Sequence, residues 1–487
     1  MAKKDAKKGR MDPSLITPEY IAEQRRLREL KKEEKRKEAE ESGSGTEDDK
    51  VPPSLRFIKR PMLAIPGQEK GSGLPISIMS YNVLAQALIR RSLFPTNGAA
   101  LKWGTRSQVL LSEFKHYDCD ILCLQELDYI QYNSFWKQKL SKLGYNSQYY
   151  RSGTKNHGVA IFYKQEKFAF KHSMFINYDK ETCGSVPLST ATLNVGLMIY
   201  LEFSEEVLKS HPKLSRDGII IGTTHLFWHP FGTYERTRQT YIVLKQMKEF
   251  TRTLQLLYGA EKSFYRFFAG DFNSQPFDSP YLSITAKPVT YTARAKNVIG
   301  RALVHEWNKK EKKEDDEEED DNAEEKGEEM ENKQTEDGSD QNELDDNPVP
   351  EFFQFSPEIT HKINEMESLH NDLDMRAISL YSVGYGLVHK DNAGRDNDRG
   401  EPFFSNWAHS WRGLLDYIFV LTDWDKQISY SNKIDSLQEL EEANKVRLLS
   451  LVRLPTPEEM GPEPSGQPRI GQFPSDHLCL IAKVELV

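Results

Sequence analysis

Short apolar runs that stop abruptly at a polar residue are the feature that most constrains the fold of this chain. The run at 218–225 ends on a histidine, and the run at 264–269 leads into Gly270-Asp271-Phe272-Asn273-Ser274. Each run has the length and composition of a buried strand. Residues two apart on an extended chain point to the same side, so Asp271 and Asn273 can converge on one reacting atom. Taken alone, however, the pentapeptide favours a common Asp/Asn turn.

The other predicted strands carry polar residues at their ends in the same way. The strand predictions cover 75–82, 120–126, 157–163, 191–203, 218–225, 264–269, 414–420 and 478–484, and the helix predictions cover 106–117, 132–143 and 233–257. The polar positions at strand ends are Asn82, Glu126, His225, Asp271, Asp416 and the dipeptide Asp476-His477. If the strands that begin at a polar residue run antiparallel to the strands that end at one, all of these positions lie at the same edge of a sheet. His157 also opens a strand, but we predict no role for it.

The residue types at these positions predict a particular chemistry. Glu126, Asp271 and Asp476 supply hard oxygen ligands, and no thiolate or histidine cluster competes with them. This set favours Mg²⁺, with Mn²⁺ as a possible substitute, over zinc. Asp416 and His477 form a plausible pair in which the carboxylate fixes the tautomer of the imidazole and favours its protonated form. Each residue taken singly has a structural explanation, such as a turn or an ion pair, whereas the joint pattern is difficult to attribute to chance.

Charge divides the 487 residues into unlike segments. Residues 311–347 contain 20 Asp and Glu against 4 Lys and Arg, so they carry a net charge of −16 and leave +7 on the rest of a chain of net charge −9. Such a segment is too acidic to pack, and we predict a disordered insertion at about 309–350. The first 55 residues are predicted to be a charged tail, either disordered or a single helix, and 56–487 a catalytic domain. A mildly basic body suits a polyanionic partner.

Nothing in the sequence predicts a membrane or secreted protein. The longest apolar runs fall short of the ~20 residues that a spanning helix needs, and the Met-Ala-Lys-Lys start has no apolar core of a signal peptide. The four cysteines lack zinc-site spacing. We therefore expect an intracellular protein of the nucleus, the cytoplasm or both.

Six motifs occur in a fixed order along the chain. They are Ser80-Tyr81-Asn82-Val83-Leu84-Ala85, Leu124-Gln125-Glu126-Leu127, Thr224-His225-Leu226, Gly270-Asp271-Phe272-Asn273-Ser274, Leu415-Asp416-Tyr417-Ile418-Phe419 and Pro474-Ser475-Asp476-His477. From about residue 75 to the C-terminus this set resembles the endonuclease/exonuclease/phosphatase (DNase I-like) superfamily. His-Leu-Phe-Trp-His-Pro at 225–230 is most similar to the nocturnin and Ccr-type deadenylase branch, and the tail and insertion resemble those of a fungal nocturnin-like RNA exonuclease.

The resemblance implies a fold and a set of roles. The fold is a four-layer α/β/β/α sandwich with two central, mostly antiparallel sheets. Glu126 would be the principal metal ligand, with Asn82 and Asp476 near the metal or phosphate. Asp271 would orient or deprotonate water and Asn273 would hold the phosphate. His225, and His477 oriented by Asp416, would stabilise charge on the phosphoryl oxygens.

The resemblance also implies a substrate. Pro230 and Trp411 occupy the places that flank a base in the deadenylase branch, with Asn406 able to read an adenine edge, although Trp411 could equally be a core residue. Arg236, Arg238 and Gln239 are candidates for contacts with RNA phosphates. The predicted function is Mg²⁺-dependent 3′→5′ RNA exonuclease activity on single-stranded 3′ ends, of poly(A) or of precursor rRNA. The alternatives are a phosphatase or phosphodiesterase acting on a dinucleotide or a phospholipid head group, and a silent RNA-binding scaffold. No stable protein partner can be inferred.

Overall fold

Two β-sheets stacked face to face form the centre of the computed structural model, which describes residues 51–69, 71–90, 94, 97–153, 155–307, 347–409, 411–461 and 466–487. Both sheets lie in a unit that spans Phe57–Val487. The predicted tail at 1–55 lies outside the described residues except for 51–55. The predicted insertion at 309–350 lies outside them except for 347–350.

The strands and helices of this unit follow one another in mixed order. The strands are β1 Met62–Ala64, β2 Leu74–Asn82, β3 Ile121–Asp128, β4 Tyr145–Tyr150, β5 His157–Lys164, β6 Phe168–Asn177, β7 Val195–Phe203, β8 Gly218–His225, β9 Phe264–Asp271, β10 Met375–Ser379, β11 Asn406–Ala408, β12 Trp411–Gly413, β13 Asp416–Asp423, β14 Val446–Val452 and β15 Leu480–Leu486. The helices are α1 Trp103–Tyr117, α2 Lys137–Ser141, α3 Glu205–Ser210, α4 Thr233–Tyr258, α5 Ser279–Thr285, α6 Ala293–Leu303, α7 Pro357–Asp372, α8 Leu380–Val388, α9 Leu437–Asn444 and α10 Pro457–Met460.

Each sheet is antiparallel except for one central pair of strands. Among the described residues, one sheet has the order β1-β14-β15-β2-β3-β5-β4, and the other has the order β10-β13-β9-β8-β7-β6. The parallel pairs are β2 with β3 and β8 with β9. The predicted pair of mostly antiparallel sheets is therefore confirmed. The parallel pairs matter because both strands of each pair end at the same edge.

Apolar residues on both faces of the strands create the four layers. In β3, Ile121 faces the core between the sheets, whereas its neighbour Leu122 packs toward α1 and the residues before α2. In β8, Ile221 lies in the inter-sheet core and Ile220 packs under α4 and α6. Because side chains alternate along a strand, continuous apolar runs of this kind are typical of sheets covered on both sides.

The bounds of several predicted elements differ from those in the structure. The strand at 218–225 has the predicted bounds, but the predicted strand at 191–203 begins only at Val195, after residues that form a loop. The predicted helix at 132–143 begins with a π-helical turn, Tyr132–Trp136, and continues as α2, which ends at Ser141. Strands β4, β6, β10 and β14 were not predicted at all. Within the described part of the chain, no helix combines the length and apolar character that a membrane span requires.

We predict that Gly270→Ala destabilises the fold through a backbone clash between β8 and β9. A Cβ on Gly270 would lie 2.3 Å from the carbonyl oxygen of Thr224, its partner on the neighbouring strand. Backbone cannot move aside cheaply, so the free energy of unfolding should fall by about 1–3 kcal/mol. Urea titration followed by circular dichroism measures this change.

Gly104→Ala is the matched control, because a Cβ there would have no neighbour within 4 Å in α1. It should raise the free energy of unfolding by about 0.5–1 kcal/mol, since alanine is the better helix former. Equal stability of the wild type and Gly270→Ala would show that the two strands are not packed as closely as described.

Candidate active site

Three strands of one sheet bring His225, Asp271 and Asp416 into a single row. His225 at the end of β8 pairs with Asp271 at the end of β9, and Asp416 at the start of β13 pairs with Asp271 on its other side. This follows from topology, because β8 and β9 end at the edge where the antiparallel β13 begins. Nε2 of His225 lies 3.6 Å from Oδ2 of Asp271. The predicted convergence of strand ends is present here.

Glu126 reaches the same place through an irregularity in β3. The register of β3 against β5 shifts between Leu124 and Leu127, which leaves one extra residue in β3, and Glu126 has a φ of 54°. A bulge of this kind redirects a side chain and is common beside active sites. Oε2 of Glu126 accepts a hydrogen bond from the Ala85 amide at 2.9 Å, and Oε1 lies 3.9 Å from Nδ1 of His225.

Asn82 links the two sheets beneath these carboxylates. Its Nδ2 donates to Oε1 of Glu126 at 2.8 Å and to Oδ2 of Asp271 at 2.9 Å. Its Oδ1 accepts from the amide of Leu84 at 3.0 Å, and the residue is fully buried. In this arrangement Asn82 positions the carboxylates and does not present its oxygen to the cavity. Asn82 does not line the cavity described below, and its place near the metal or phosphate stays a prediction.

Asp416 and His477 form the expected carboxylate–imidazole pair. Nδ1 of His477 donates to Oδ2 of Asp416 at 2.7 Å, and Nε2 lies 3.6 Å from Oδ2 of Asp271. The hydroxyl of Ser405 also donates to Oδ2 of Asp416 at 2.7 Å. Burial alone would lower the pKa of His477, but the adjacent carboxylates of Asp416 and Asp271 raise it well above its ordinary value. The ring is therefore held as an imidazolium that can donate from both nitrogens.

The pentapeptide at 270–274 is both a turn and a site element. The amide of Asn273 donates to Oδ1 of Asp271 at 2.9 Å, and Asn273 has a φ of 45°, which asparagine tolerates better than most residues. Nδ2 of Asn273 donates to the carbonyl of Leu226 at 2.9 Å and so ties the turn to the end of β8. The turn interpretation of this stretch and its role in shaping the site are thus compatible.

A cavity of about 590 Å³ opens over these residues. Of the predicted site residues, it is lined by Glu126, His225, Asp271, Asn273, Asn406, Trp411, Asp476 and His477. Asn82 and Asp416 lie behind this lining as partners of residues within it. Trp411 is 46% exposed, so the alternative that it is a core residue is wrong. Asn406 and Trp411 sit on the two strands of the short β11–β12 hairpin.

Of the predicted substrate contacts, that of Pro230 stays a prediction and that of Arg236 is corrected. Pro230 is exposed but does not line the cavity, and Trp228 lines it instead. The guanidinium of Arg236 is buried and donates to the carbonyls of Phe227 and His229 at 2.9 and 2.6 Å. It therefore supports the loop that carries Trp228 and is not available to RNA phosphates.

The same correction applies to the neighbouring helix residues. Arg238 is buried and paired with Glu235, and Gln239 accepts from the amide of Phe227 and donates to Thr192. The start of α4 packs beneath the cavity, so its polar side chains bond to the loops above it. From the sequence alone, a buried helix start with polar side chains cannot be distinguished from one that is exposed to solvent.

Several cavity residues were not predicted from sequence. Lys155 and His157 line the cavity, as does the loop at 190–194, most of which was assigned to the strand predicted at 191–203. Burial lowers the pKa of His157 well below its ordinary value, and Lys155 and His225 add to this effect. Its position at the start of β5, at the predicted edge of the sheet, was the available signal.

Arg106 is a further residue that sequence analysis missed. It is buried on α1, where Nε donates to the carbonyl of Pro474 at 2.7 Å and Nη2 donates to the carbonyls of Val83 and Leu84. It thus joins the segment after β2 to the segment that carries Asp476. Nothing in its helical sequence context distinguishes it from a surface arginine.

The residues present fit a divalent cation. Oxygen or nitrogen ligand atoms of Glu126, His225 and Asp271 lie within 4.8 Å of one another, and Asp476 lines the same cavity. Clustered, largely buried carboxylates are costly unless cations or hydrogen bonds compensate their charge. Hard carboxylate oxygens beside an open cavity suit an ion that also binds water and phosphate.

We predict that Asp416→Asn lowers the pKa of His477. The Asp416 carboxylate favours the imidazolium, so its loss should shift the titration of His477 toward lower pH by at least about one unit. NMR titration of the imidazole protons in metal-free buffer measures the shift. Asp423→Asn, at the exposed end of the same strand, should leave the titration unchanged. An unshifted His477 in Asp416→Asn would assign its raised pKa to another group.

Comparisons with known proteins identify the family of the chain. The model of the endonuclease/exonuclease/phosphatase family matches residues 79–477. The chain is 50% identical to "RNA exonuclease NGL2" of Saccharomyces cerevisiae over 99% of this chain and 92% of that protein. It is 35% identical to "Probable RNA exonuclease C9B6.11c" of Schizosaccharomyces pombe over 100% of this chain and 91% of that protein.

A solved structure shows the same fold. The crystal structure of ANGEL2, a 2′,3′-cyclic phosphatase, in complex with adenosine-2′,3′-vanadate superposes with a TM-score of 0.53 at 21% identity, over 88% of this chain and 99% of that chain. The four-layer sandwich expected from the motifs is thereby confirmed. Since the family model matches most of its length, the chain belongs to the endonuclease/exonuclease/phosphatase family, as its ordered motifs predicted.

Proposed function

We propose that this protein is an RNA exonuclease that hydrolyses single-stranded RNA from the 3′ end and releases 5′-nucleotides. The observation that carries the proposal is the junction, in one cavity, of a buried carboxylate–histidine cluster with an exposed tryptophan, Trp411. The cluster suits phosphodiester hydrolysis, and the indole suits a nucleobase. The name of the relative that is 50% identical, "RNA exonuclease NGL2", supports RNA as the substrate.

Asp271 is proposed to handle the attacking water. Oδ1 of Asp271 accepts from the Asn273 amide and Oδ2 accepts from Asn82, so the carboxylate is fixed in orientation. It would take the proton from water as the new oxygen–phosphorus bond forms. The bond from phosphorus to the 3′ oxygen of the preceding residue would break, and that oxygen would take up a proton from solvent. The products are a 5′-nucleotide and an RNA shortened by one residue with a free 3′-hydroxyl. Correct positioning of this kind accounts for much of enzymatic rate enhancement.

The two histidines are proposed to face the phosphoryl group. His477, kept protonated by Asp416, would donate to a non-bridging oxygen as negative charge develops there. His225, whose ring is 13% exposed, lies on the other side of Asp271. Asn273 lines the cavity close to both and is the proposed phosphate ligand. Preorganised donors act more strongly on a developing charge where the surroundings have a lower dielectric constant than water.

Mg²⁺ is the proposed cofactor, with Mn²⁺ as a substitute, held by Glu126 and Asp476. When bound, it would supply positive charge to the phosphate and lower the pKa of water. The bulge at Glu126 presents the carboxylate to the cavity, and the Ala85 amide fixes one of its oxygens. Both contacts preorganise the ligand before any ion binds.

The base is proposed to be held by the β11–β12 hairpin. Trp411 would stack on it, and Asn406, which is 4% exposed at the cavity wall, would read its edge. The hairpin is attached to the catalytic segment, because Asn406 forms a bridge with His477 and the Trp407 amide donates to the Asp476 carbonyl at 2.8 Å. A shift of the bound base would therefore also displace the segment that carries Asp476 and His477 beside the reacting phosphate.

The domain boundaries, the cellular compartment and the identity of the RNA are also matters of proposal. We propose that the catalytic domain spans 56–487, with the acidic segment at about 309–350 as an insertion and 1–55 as a tail. The basic start of the tail fits contact with RNA or entry into the nucleus, so we place the activity in the nucleus, the cytoplasm or both. Poly(A) and the 3′ ends of precursor rRNA are the two candidate substrates.

We predict that 5′-labelled RNA incubated with the protein and Mg²⁺ yields a ladder of products shortened one nucleotide at a time. Glu126→Gln should reduce kcat/KM by about 100- to 1,000-fold, because the amide offers no charge to the cation. Denaturing gel electrophoresis separates the products, and A-tailed RNA and a precursor rRNA end are compared side by side. Chelation of the metal should stop the reaction.

Glu205→Gln is the matched control, since its side chain is 91% exposed on α3. It should cleave RNA at the wild-type rate. If RNA stays intact while phosphate is released from a dinucleotide or a phospholipid head group, the alternative substrates replace RNA. Wild-type turnover in Glu126→Gln would place the cation elsewhere.

A further inference from the structure

Two large aromatic side chains are exposed at the same cavity. Trp228 is 48% exposed and Trp411 is 46% exposed, and both line the cavity of about 590 Å³. Tryptophan is highly buried on average, and exposed apolar surface gathered at one place often marks a binding site. The resemblance assigned a role to Trp411 and to Pro230, but none to Trp228. The cavity has the size of sites for whole ligands and is larger than one planar base requires.

Trp228 lies in a loop whose backbone is firmly held. It follows His225 by three residues, and the carbonyls on either side of it, those of Phe227 and His229, both accept hydrogen bonds from Arg236. The amide of Phe227 donates to Gln239 at 3.0 Å. The buried start of α4 therefore fixes both ends of the peptide that carries Trp228.

The side chain of Trp228 is supported by other aromatic rings. Its ring meets that of His229 edge to face, with centroids 5.4 Å apart. The ring of His229 in turn contacts those of Trp307 and His305 at 4.9 and 5.6 Å, and Phe231 stacks on His305 at 4.3 Å. Packing on one side thus restricts the indole, while nearly half of it stays exposed. A restricted aromatic surface loses little entropy when it binds a ligand.

Trp411 is supported in a different way. Its ring lies against Gly413, where a Cβ would come within 2.8 Å of the indole. The two indoles belong to separate elements, since Trp228 follows β8 and Trp411 begins β12. Each has its own support, and each lines the cavity that contains Asp271 and His477.

We propose that Trp228 is a second base-stacking residue, which binds one base of single-stranded RNA while Trp411 binds the neighbouring base. This rests on the proposed exonuclease function and specifies its substrate, a strand of at least two unpaired nucleotides. Stacking on aromatic side chains is tolerant of sequence, because every base has a π face. Trp228 would therefore strengthen binding of single-stranded RNA without selecting adenine.

The first test compares the KM for A-tailed RNA among three variants. Trp228→Leu keeps apolar bulk but lacks a π face, and its KM should rise by about ten-fold, the size expected for loss of one base stack. Trp228→Phe should restore most of the affinity. Phe352→Ala removes an aromatic side chain that is 81% exposed and does not line the cavity, and it should leave KM unchanged.

The second test locates the base with the fluorescent analogue 2-aminopurine, whose emission is quenched by stacking. Phosphorothioate RNA that resists cleavage carries the analogue at either the terminal or the penultimate 3′ position. We expect wild-type protein to quench both positions. Trp228→Leu should abolish the quenching at one position, and Trp411→Leu at the other.

The outcomes separate this inference from the proposed function. If wild-type protein shortens RNA but Trp228→Leu has an unchanged KM and unchanged quenching, the exonuclease proposal stands and the role of Trp228 is rejected. If both leucine variants lose quenching at the same position, the indoles hold one base between them and the two-base inference is wrong. If wild-type protein cleaves no RNA, the proposed function itself fails.

Discussion

The burial of one carboxylate, Asp271, is the constraint on which the rest of the site depends. Its side chain is 1% exposed, and an ionised carboxylate at that depth is costly unless it is paired and hydrogen-bonded. Asn82 and the Asn273 amide donate to its two oxygens, and the imidazoles of His225 and His477 stand 3.6 Å from Oδ2. Removal of any one of these neighbours leaves charge without compensation, which couples residues that are far apart in sequence.

The topology of the sheets makes this crowding possible. In a sheet with only antiparallel neighbours, the C-terminal ends of adjacent strands lie at opposite edges. One parallel pair in each sheet places the C-terminal ends of two adjacent strands at the same edge. Those pairs place Asn82 level with Gln125 and His225 level with Asp271. Glu126 follows Gln125, the residue that pairs with Asn82, and the bulge in β3 directs the Glu126 side chain into the cavity. The strain at one backbone position thus serves a geometry that regular pairing could not supply.

Sequence analysis predicted the strands that carry the chemistry better than the remainder of the fold. Strands such as β8 and β9 are apolar on both faces and end at a polar residue, so period, length and boundary agree. By contrast, β4 reads Tyr-Asn-Ser-Gln-Tyr-Tyr and β6 exposes much of one face, so neither differs clearly from a loop in composition. The hydrogen-bond partners of Asn82 and Arg236 could not be inferred either, because they include backbone groups and side chains that are brought together only by folding.

Residues on regular strands and residues on loops also differ in the functions proposed for them, which are catalysis and substrate binding. The two central sheets fix the positions of residues at their strand ends. Trp228 and the loop at 190–194 lie on connections, and Trp411 lies on a separate two-stranded hairpin, and the sequence does not specify the paths of these segments. Those segments are nevertheless anchored, by Arg236 under one and by the bridge from Asn406 to His477 at another. Because fold alone does not determine substrate, the anchored loops are where a preference for one substrate can arise. If the proposed function holds, the reacting centre and the two aromatic side chains would together favour a ligand that presents a phosphate and adjacent unpaired bases.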